Sequence, residues 1–302
     1  ALLGFADAAW LAAETESAPA VRRRVETLHG RFAGDLARSV TAAMQRHDID
    51  YVPGAADLGD FDPTSTTIAL SPTGAAILLP AGAVERTFER YWEFFTDRRA
   101  EGASDDGSWG AFTPYEIRNI GAFVRLGWRE RAGELLAWFL DQRRPPGWRQ
   151  WPEVVRRDPR AARFLGDLPH TWVGSDYVRS LLDMFAYERR DEVGGTDRGK
   201  GDSETGRALV LAAGLPSAWL DEGGVRVAGL PTPYGRMDYA LRREDGSVIM
   251  DVAGDLELPE GGLVLAPPLA GPRVTVNGRG AEVGPDGVFV LHQLPARVVW
   301  AR

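Results

Sequence analysis

The chain has no cysteine and, among 302 residues, one lysine, Lys200. Without cysteine there is no disulfide, no thiolate-bound metal and no Cys nucleophile. Histidine is scarce as well. The four present are scattered, with no His-Glu-x-x-His or comparable ligand spacing, so no metal centre and no other cofactor is expected. A basic face is also missing. The net charge is −8, and nucleic-acid binding, which rests on clustered Lys and Arg, is not expected. No apolar run approaches the roughly 18 residues of a membrane span, so no membrane partner is expected. Residues 1–13 are apolar, lack a basic start and are interrupted by Asp7. That pattern predicts an amphipathic helix rather than a signal peptide, although a removed leader could precede it. Cytoplasmic and secreted bacterial locations both fit. The Gly-x-Ser-x-Gly elbow of serine hydrolases is absent, and Gly194, Gly195 and Gly199 lack the strand–helix setting of a phosphate loop.

Tryptophan, by contrast, is abundant, with ten residues. Trp10, Trp92 and Trp138 sit on apolar helical faces and read as core. Trp109, Trp148, Trp151 and Trp172 fall in Pro- and Gly-rich connections, where aromatic side chains more often meet ligands. Three stretches combine such aromatics with carboxylates and hydrogen-bonding groups. They are Trp109-Gly110-Ala111-Phe112-Thr113-Pro114-Tyr115-Glu116-Ile117-Arg118-Asn119, Gly59-Asp60-Phe61-Asp62-Pro63-Thr64-Ser65-Thr66 and Pro169-His170-Thr171-Trp172-Val173-Gly174-Ser175-Asp176-Tyr177. Sugars are bound by such sets, because aromatic faces cover the C–H faces of a pyranose while Asp, Glu, Arg and Asn bond its hydroxyls.

The chain changes character near Gly206. Before it, apolar residues recur at spacings of three and four. Val21, Val25, Leu28, Phe32, Leu36, Val40 and Met44 form one helical stripe, and Val84, Phe88, Tyr91, Trp92 and Phe95 form another. Ser71-Pro72 and Asp62-Pro63 both read as an N-cap followed by Pro at the first helical position. Ile117, Ile120, Val124 and Trp128 predict a helix, a break near Gly127–Arg129 precedes Ala132, Leu135, Leu136 and Phe139, and a last helix covers Asp176 to Tyr187. Residues 188–206 carry almost no apolar side chain and read as a linker. Beyond them the period becomes two. Eight short strands are expected, with Asp245-Gly246, Asn277-Gly278 and Asp286-Gly287 as hairpin turns. The expected organisation is a helical domain over residues 1–190 and an antiparallel β-sandwich over residues 207–302.

These motifs carry a resemblance. The three stretches, with Leu209-Val210-Leu211-Ala212-Ala213-Gly214-Leu215-Pro216 and Gly229-Leu230-Pro231-Thr232-Pro233-Tyr234-Gly235, make residues 20–300 similar to the six-hairpin glycosidases. The resemblance implies α-helical hairpins of an (α/α)6 barrel followed by a small β-sandwich, and hydrolysis of a glycosidic bond, generally with inversion. The helical segments before Glu188 are fewer than six hairpins require, so the chain reads as the later part of such a barrel plus its sandwich. The missing N-terminal part of a longer chain is then a possible partner beside the carbohydrate substrate.

Glycoside hydrolysis needs two carboxyl groups, one acting as acid and the other as base or nucleophile. Glu116, among aromatics and next to Arg118, is the first candidate. Its competing reading is the Glu of a capping box begun by Thr113. Asp62 is the second, set against a plain N-cap role, and Asp60, two residues away, points the same way in an extended segment. Trp109, Tyr115, Arg118, Asn119, His170, Trp172 and Asp176 are candidate sugar contacts. Asp176 also suits a helix start, and His170 a structural role. Two other functions fit the same residues: a non-catalytic carbohydrate-binding protein, and a polysaccharide lyase using Arg118, Tyr115 and His170 against a uronate.

Overall fold

The computed structural model describes residues 1–15, 19–101, 114–155, 160, 165–189, 207–266, 268, 273–284 and 288–301. Eight α-helices and ten strands lie among them. The chain groups into two compact units. Of the described residues, the first takes in 1–101, 114–122, 138–155, 160 and 165–180; the second takes in 123–137, 181–189 and 207–301. Among the described residues no helix is long and apolar enough to cross a membrane. Of the expected linker, residues 188–206, Glu188 and Arg189 belong to a strand, and residues 190–206 lie outside the described residues, as do Trp109 and the Asp286-Gly287 turn.

The first unit begins with α1 (Leu2–Glu14) packed on the long α2 (Pro19–His47). Leu2, Ala33 and Ala75 form a small core there, with Leu36 and Leu78 against it. Much of the apolar stripe on these helices is nevertheless exposed, including Val21, Leu28, Phe32 and Trp10, so the core reading of Trp10 is corrected. Helix α3 (Pro63–Leu70) starts as its sequence predicts, with Asp62 as N-cap and Pro63 in the first turn. Ser71 does not open a helix. It closes α3, its amide donating to the Thr67 carbonyl, and only a 3-10 turn at Ala75–Leu78 follows. Helix α4 (Ala83–Glu101) buries Val84, Phe88, Tyr91 and Phe95, residues spaced by three and four.

A 3-10 turn, Pro114–Ile117, leads into α5 (Arg118–Arg125), and α6 (Arg129–Asp141) follows. Gly127 ends α5 at φ 77°, and the Trp128 amide donates to the Phe123 carbonyl. This is a Schellman closure, for which glycine is suited because it tolerates positive φ. Helix α7 (Thr171–Phe185) runs directly into β1 (Ala186–Arg189), where the sequence suggested the onset of a linker.

The second unit holds two sheets. β1, β2 (Ala208–Leu211), β6 (Leu263–Leu265) and β9 (Phe289–Leu291) form one, in the order β1-β2-β6-β9. β3 (Val225–Thr232), β4 (Gly235–Glu244), β5 (Ser247–Leu256), β10 (Ala296–Ala301), β7 (Arg273–Val276) and β8 (Arg279–Gly280) form the other, in that order. Every ladder is antiparallel except β2–β6, which is parallel. A purely antiparallel arrangement therefore does not hold. The connection from β2 to β6 passes through α8 (Ser217–Asp221) and the hairpins of the other sheet, long enough to bring the chain back in the same direction.

Asp245-Gly246 and Asn277-Gly278 make the β4–β5 and β7–β8 turns with positive φ at both positions, the primed geometry that matches strand twist. Met237, Tyr239 and Leu241 alternate inward along β4, as do Ala296, Val298 and Trp300 along β10. Phe289 of β9 meets Trp300 of β10 at 5.8 Å between ring centroids. At the α7–β1 junction, Arg125 donates to both oxygens of Asp183 at 3.1 Å and lies 4.3 Å over the Tyr187 ring.

Candidate functional site

All the described candidates lie in the first unit. They fall into three groups, built on the start of α3, on the 114–117 turn and on the start of α7. The 3-10 turn rests against α3, so the Asp62 and Glu116 segments are neighbours.

Asp62 is occupied as a cap. It accepts from the Ser65 amide at 3.0 Å and from the Thr64 and Ser65 hydroxyls at 2.5 Å. Burial pushes its carboxyl up, but the hydrogen bonds from Ser65 and Thr64 outweigh that and hold it below its ordinary range. Asp60 is exposed and accepts from the Ala55 amide at 2.8 Å. A Cβ on Gly54 would come within 2.7 Å of Asp62 Cβ and 2.8 Å of Asp60 Oδ2. The two carboxylates thus share one side of their strand-like segment, as alternation predicts.

Glu116 is only 4 % exposed. Arg98 donates to its Oε1 at 3.0 Å and to its Oε2 at 2.7 Å, and the Tyr91 hydroxyl donates to Oε2 at 2.8 Å. Burial and the Glu116 charge both push the Tyr91 phenol well up. Burial would lower the Arg98 guanidinium, but the charge and hydrogen bonds of Glu116 raise it. Asn119 is buried beside the same hydroxyl. Residues 91 and 98 are seven apart on α4 and therefore face the same way. That spacing was the available signal, but it does not say which carboxylate they meet.

The third group sets the exposed Trp172 over the buried Arg118 and Asp176. The Tyr115 ring stands edge to face with His170 at 5.7 Å and with Trp172 at 5.6 Å between centroids. The Arg118 guanidinium lies 5.4 Å from the Tyr115 ring centre and 5.9 Å from that of Trp172. Trp172 is 60 % exposed. Arg118 donates through Nε to Asp176 Oδ2 at 3.0 Å and through Nη2 to the same oxygen, while Arg179 donates to Oδ1 at 2.9 Å. Burial and the Glu153 charge raise the Tyr115 phenol; Arg118 opposes them, and Asp176 and Asp167 add to the rise. The backbone amide of His170 donates to the Trp151 carbonyl at 2.8 Å, tying the start of α7 to the preceding loop. Trp151 itself is buried against Tyr177 and is not available as a surface contact, whereas Trp148 is exposed. Arg179 was not singled out in the sequence; its position three residues after Asp176 on α7 was the signal.

Among the described residues no group of three or more His, Asp or Glu converges as a metal site. Comparison of the chain with protein-family models, with curated proteins and with solved structures gives no match.

Proposed function

We propose that this chain is a carbohydrate-active protein, a glycoside hydrolase of the helical-hairpin kind or the C-terminal part of one, whose sugar platform is Tyr115, His170, Trp172 and Arg118. The exposed Trp172 ring carries the reading. It is 60 % exposed, bracketed by a second aromatic ring and a guanidinium, and held at the start of a helix. Aromatic rings with neighbouring polar donors suit the C–H faces and hydroxyls of a pyranose. In this reading the helices of the first unit are hairpins of an (α/α)6-type toroid, and the two sheets of the second are its trailing sandwich. Glu116 and Asp62 are the proposed acid and base, a pairing supported by the packing of the 114–117 turn on α3.

A second reading, a non-catalytic carbohydrate-binding protein, is favoured by one observation. Glu116 and Asp62 each accept at least three hydrogen bonds within the chain, so neither is poised for proton transfer.

Titration calorimetry with a panel of soluble oligosaccharides tests the platform. Trp172→Ala is expected to weaken binding about ten-fold, roughly 1.4 kcal/mol. Because the side chain is largely exposed, stability should change by less than about 0.5 kcal/mol. Unchanged affinity in Trp172→Ala removes the platform from the proposal. Turnover of cleavable glycosides separates the two readings: Glu116→Gln abolishes it in a hydrolase, whereas a binding protein shows none with either chain.

A further inference from the structure

We infer that Asp176 is a positioning residue: through Arg118 it holds Tyr115 and Trp172 in a preformed platform, and it does not itself touch the ligand. The inference rests on the platform reading for its biological meaning, but its geometry is independent of any sugar. Asp176 is 3 % exposed and has both carboxylate oxygens engaged by guanidinium groups. A ligand hydroxyl would have to displace one of them. Arg118 is itself buried and donates two hydrogen bonds, through Nε and Nη2, to Asp176 Oδ2, which fixes the plane of its guanidinium. That group then lies within cation–π distance of both platform rings, 5.4 Å from Tyr115 and 5.9 Å from Trp172.

The chain of contacts therefore runs from a buried carboxylate on α7, through a buried guanidinium at the start of α5, to two rings on different segments. Arg179 completes the arrangement. Its side chain is 40 % exposed and it holds the other carboxylate oxygen, so Asp176 cannot rotate away from Arg118 without losing a second partner. Sequence alone makes Asp176 a candidate sugar contact; its burial assigns it the supporting role instead. A platform held this way loses little side-chain freedom on binding, which favours affinity by preorganisation.

The test uses the full chain labelled with 5-fluorotryptophan and read by fluorine NMR, with the Trp172 resonance assigned by its loss in Trp172→Phe. Asp176→Asn keeps the shape but not the charge. It is expected to move the Trp172 resonance by more than its line width while the resonance of Trp300, buried in the second unit, stays in place. Arg118→Lys retains the ion pair and loses the planar group, and it should move the same resonance. Combining the two should add no further shift, as expected for residues acting in series. A merely structural role for Asp176 would lower the thermal midpoint and leave the Trp172 resonance of the folded protein unchanged, and that result overturns the inference. If Asp176→Asn fails to fold, Arg118→Lys decides: an unmoved Trp172 resonance there is equally fatal. Titration of the wild-type chain with cellohexaose and xylohexaose separates the two layers. A responsive Trp172 resonance in the variants with no binding of either sugar or of the wider panel upholds the positioning role and sinks the platform's assignment to carbohydrate. Binding with an unresponsive resonance does the reverse.

Discussion

Replacing Glu116 by Gln removes the negative charge that pairs with the buried Arg98. The two side chains are each 6 % exposed and meet through two short hydrogen bonds, with the Tyr91 hydroxyl adding a third. Removing one partner of a buried ion pair costs about 3–5 kcal/mol, because the other charge is left without compensation. Gln keeps a carbonyl oxygen for one of the three donors, which places Glu116→Gln near 3 kcal/mol and Glu116→Ala near 5 kcal/mol. A capping-box role predicts much less: under about 1 kcal/mol for Gln and about 0.5–2 kcal/mol for Ala. The two accounts differ by about 2 kcal/mol, well outside the error of urea unfolding of a single variant series. The assay is urea unfolding of the full chain followed by circular dichroism, on Glu116→Gln, Arg98→Met and the double variant. The coupling energy of the cycle is expected to exceed about 1 kcal/mol. Glu116→Gln within about 0.5 kcal/mol of wild type, with no coupling to Arg98→Met, would refute the claim that this pair holds the 114–117 turn on α4.

Two other predictions follow from the same structure. Asp62→Ala should cost about 1–2 kcal/mol through loss of the α3 cap. Because the Asp62 carboxyl is held below its ordinary value of 3.8, its contribution is fully present above that pH and is lost as pH falls through the lower folded value. Wild type should therefore lose stability below about pH 4 more steeply than Asp62→Ala in acid titrations of the urea midpoint, and parallel profiles would exclude the cap as the cause. In the second unit, a Cβ on Gly214 would stand 2.7 Å from Met184 Cα and 2.5 Å from a Val124 methyl. Gly214→Ala should cost about 1–3 kcal/mol by overpacking, and an unshifted thermal midpoint would mean that the α7–β2 packing is looser than described.

Much of the local structure was legible in the residues. Asp62-Pro63 opens a helix, Gly127 closes one, and Asp245-Gly246 and Asn277-Gly278 make tight hairpins, because each of these choices is decided within four residues. What stayed hidden depends on distant partners. Ser71-Pro72 has the form of a helix start, but the preceding helix already uses Ser71 as its end. Trp10 lies on an apolar stripe, yet periodicity tells which face is apolar and not whether anything covers it; Trp10 is 58 % exposed. Trp151 sits in a connection and is buried all the same. The parallel β2–β6 pairing cannot be read from strands whose residues are all apolar, since alternation is lost when both faces are buried. At the site, the aromatic and acidic stretches were recognised, and Tyr115, His170 and Trp172 do gather in one place. The partners that engage the carboxylates, Arg98 and Arg179, were missed because ion pairing between helices leaves no mark on local sequence pattern.

The direct passage of α7 into β1 has a consequence for how this chain could be handled or inherited. β1 supplies an outer strand of the four-stranded sheet, pairing with β2 from Ala186↔Leu211 to Arg189↔Ala208. A piece trimmed to begin near Ala208, where the composition changes, would leave the β2 edge that β1 covers bare. An exposed apolar strand edge is a template for aggregation. The sheet-bearing part is therefore not a cassette that recombination could move by cutting at the compositional break. A transferable segment would have to start upstream of Phe123, bringing with it helical turns whose own sequence reads as belonging to something else.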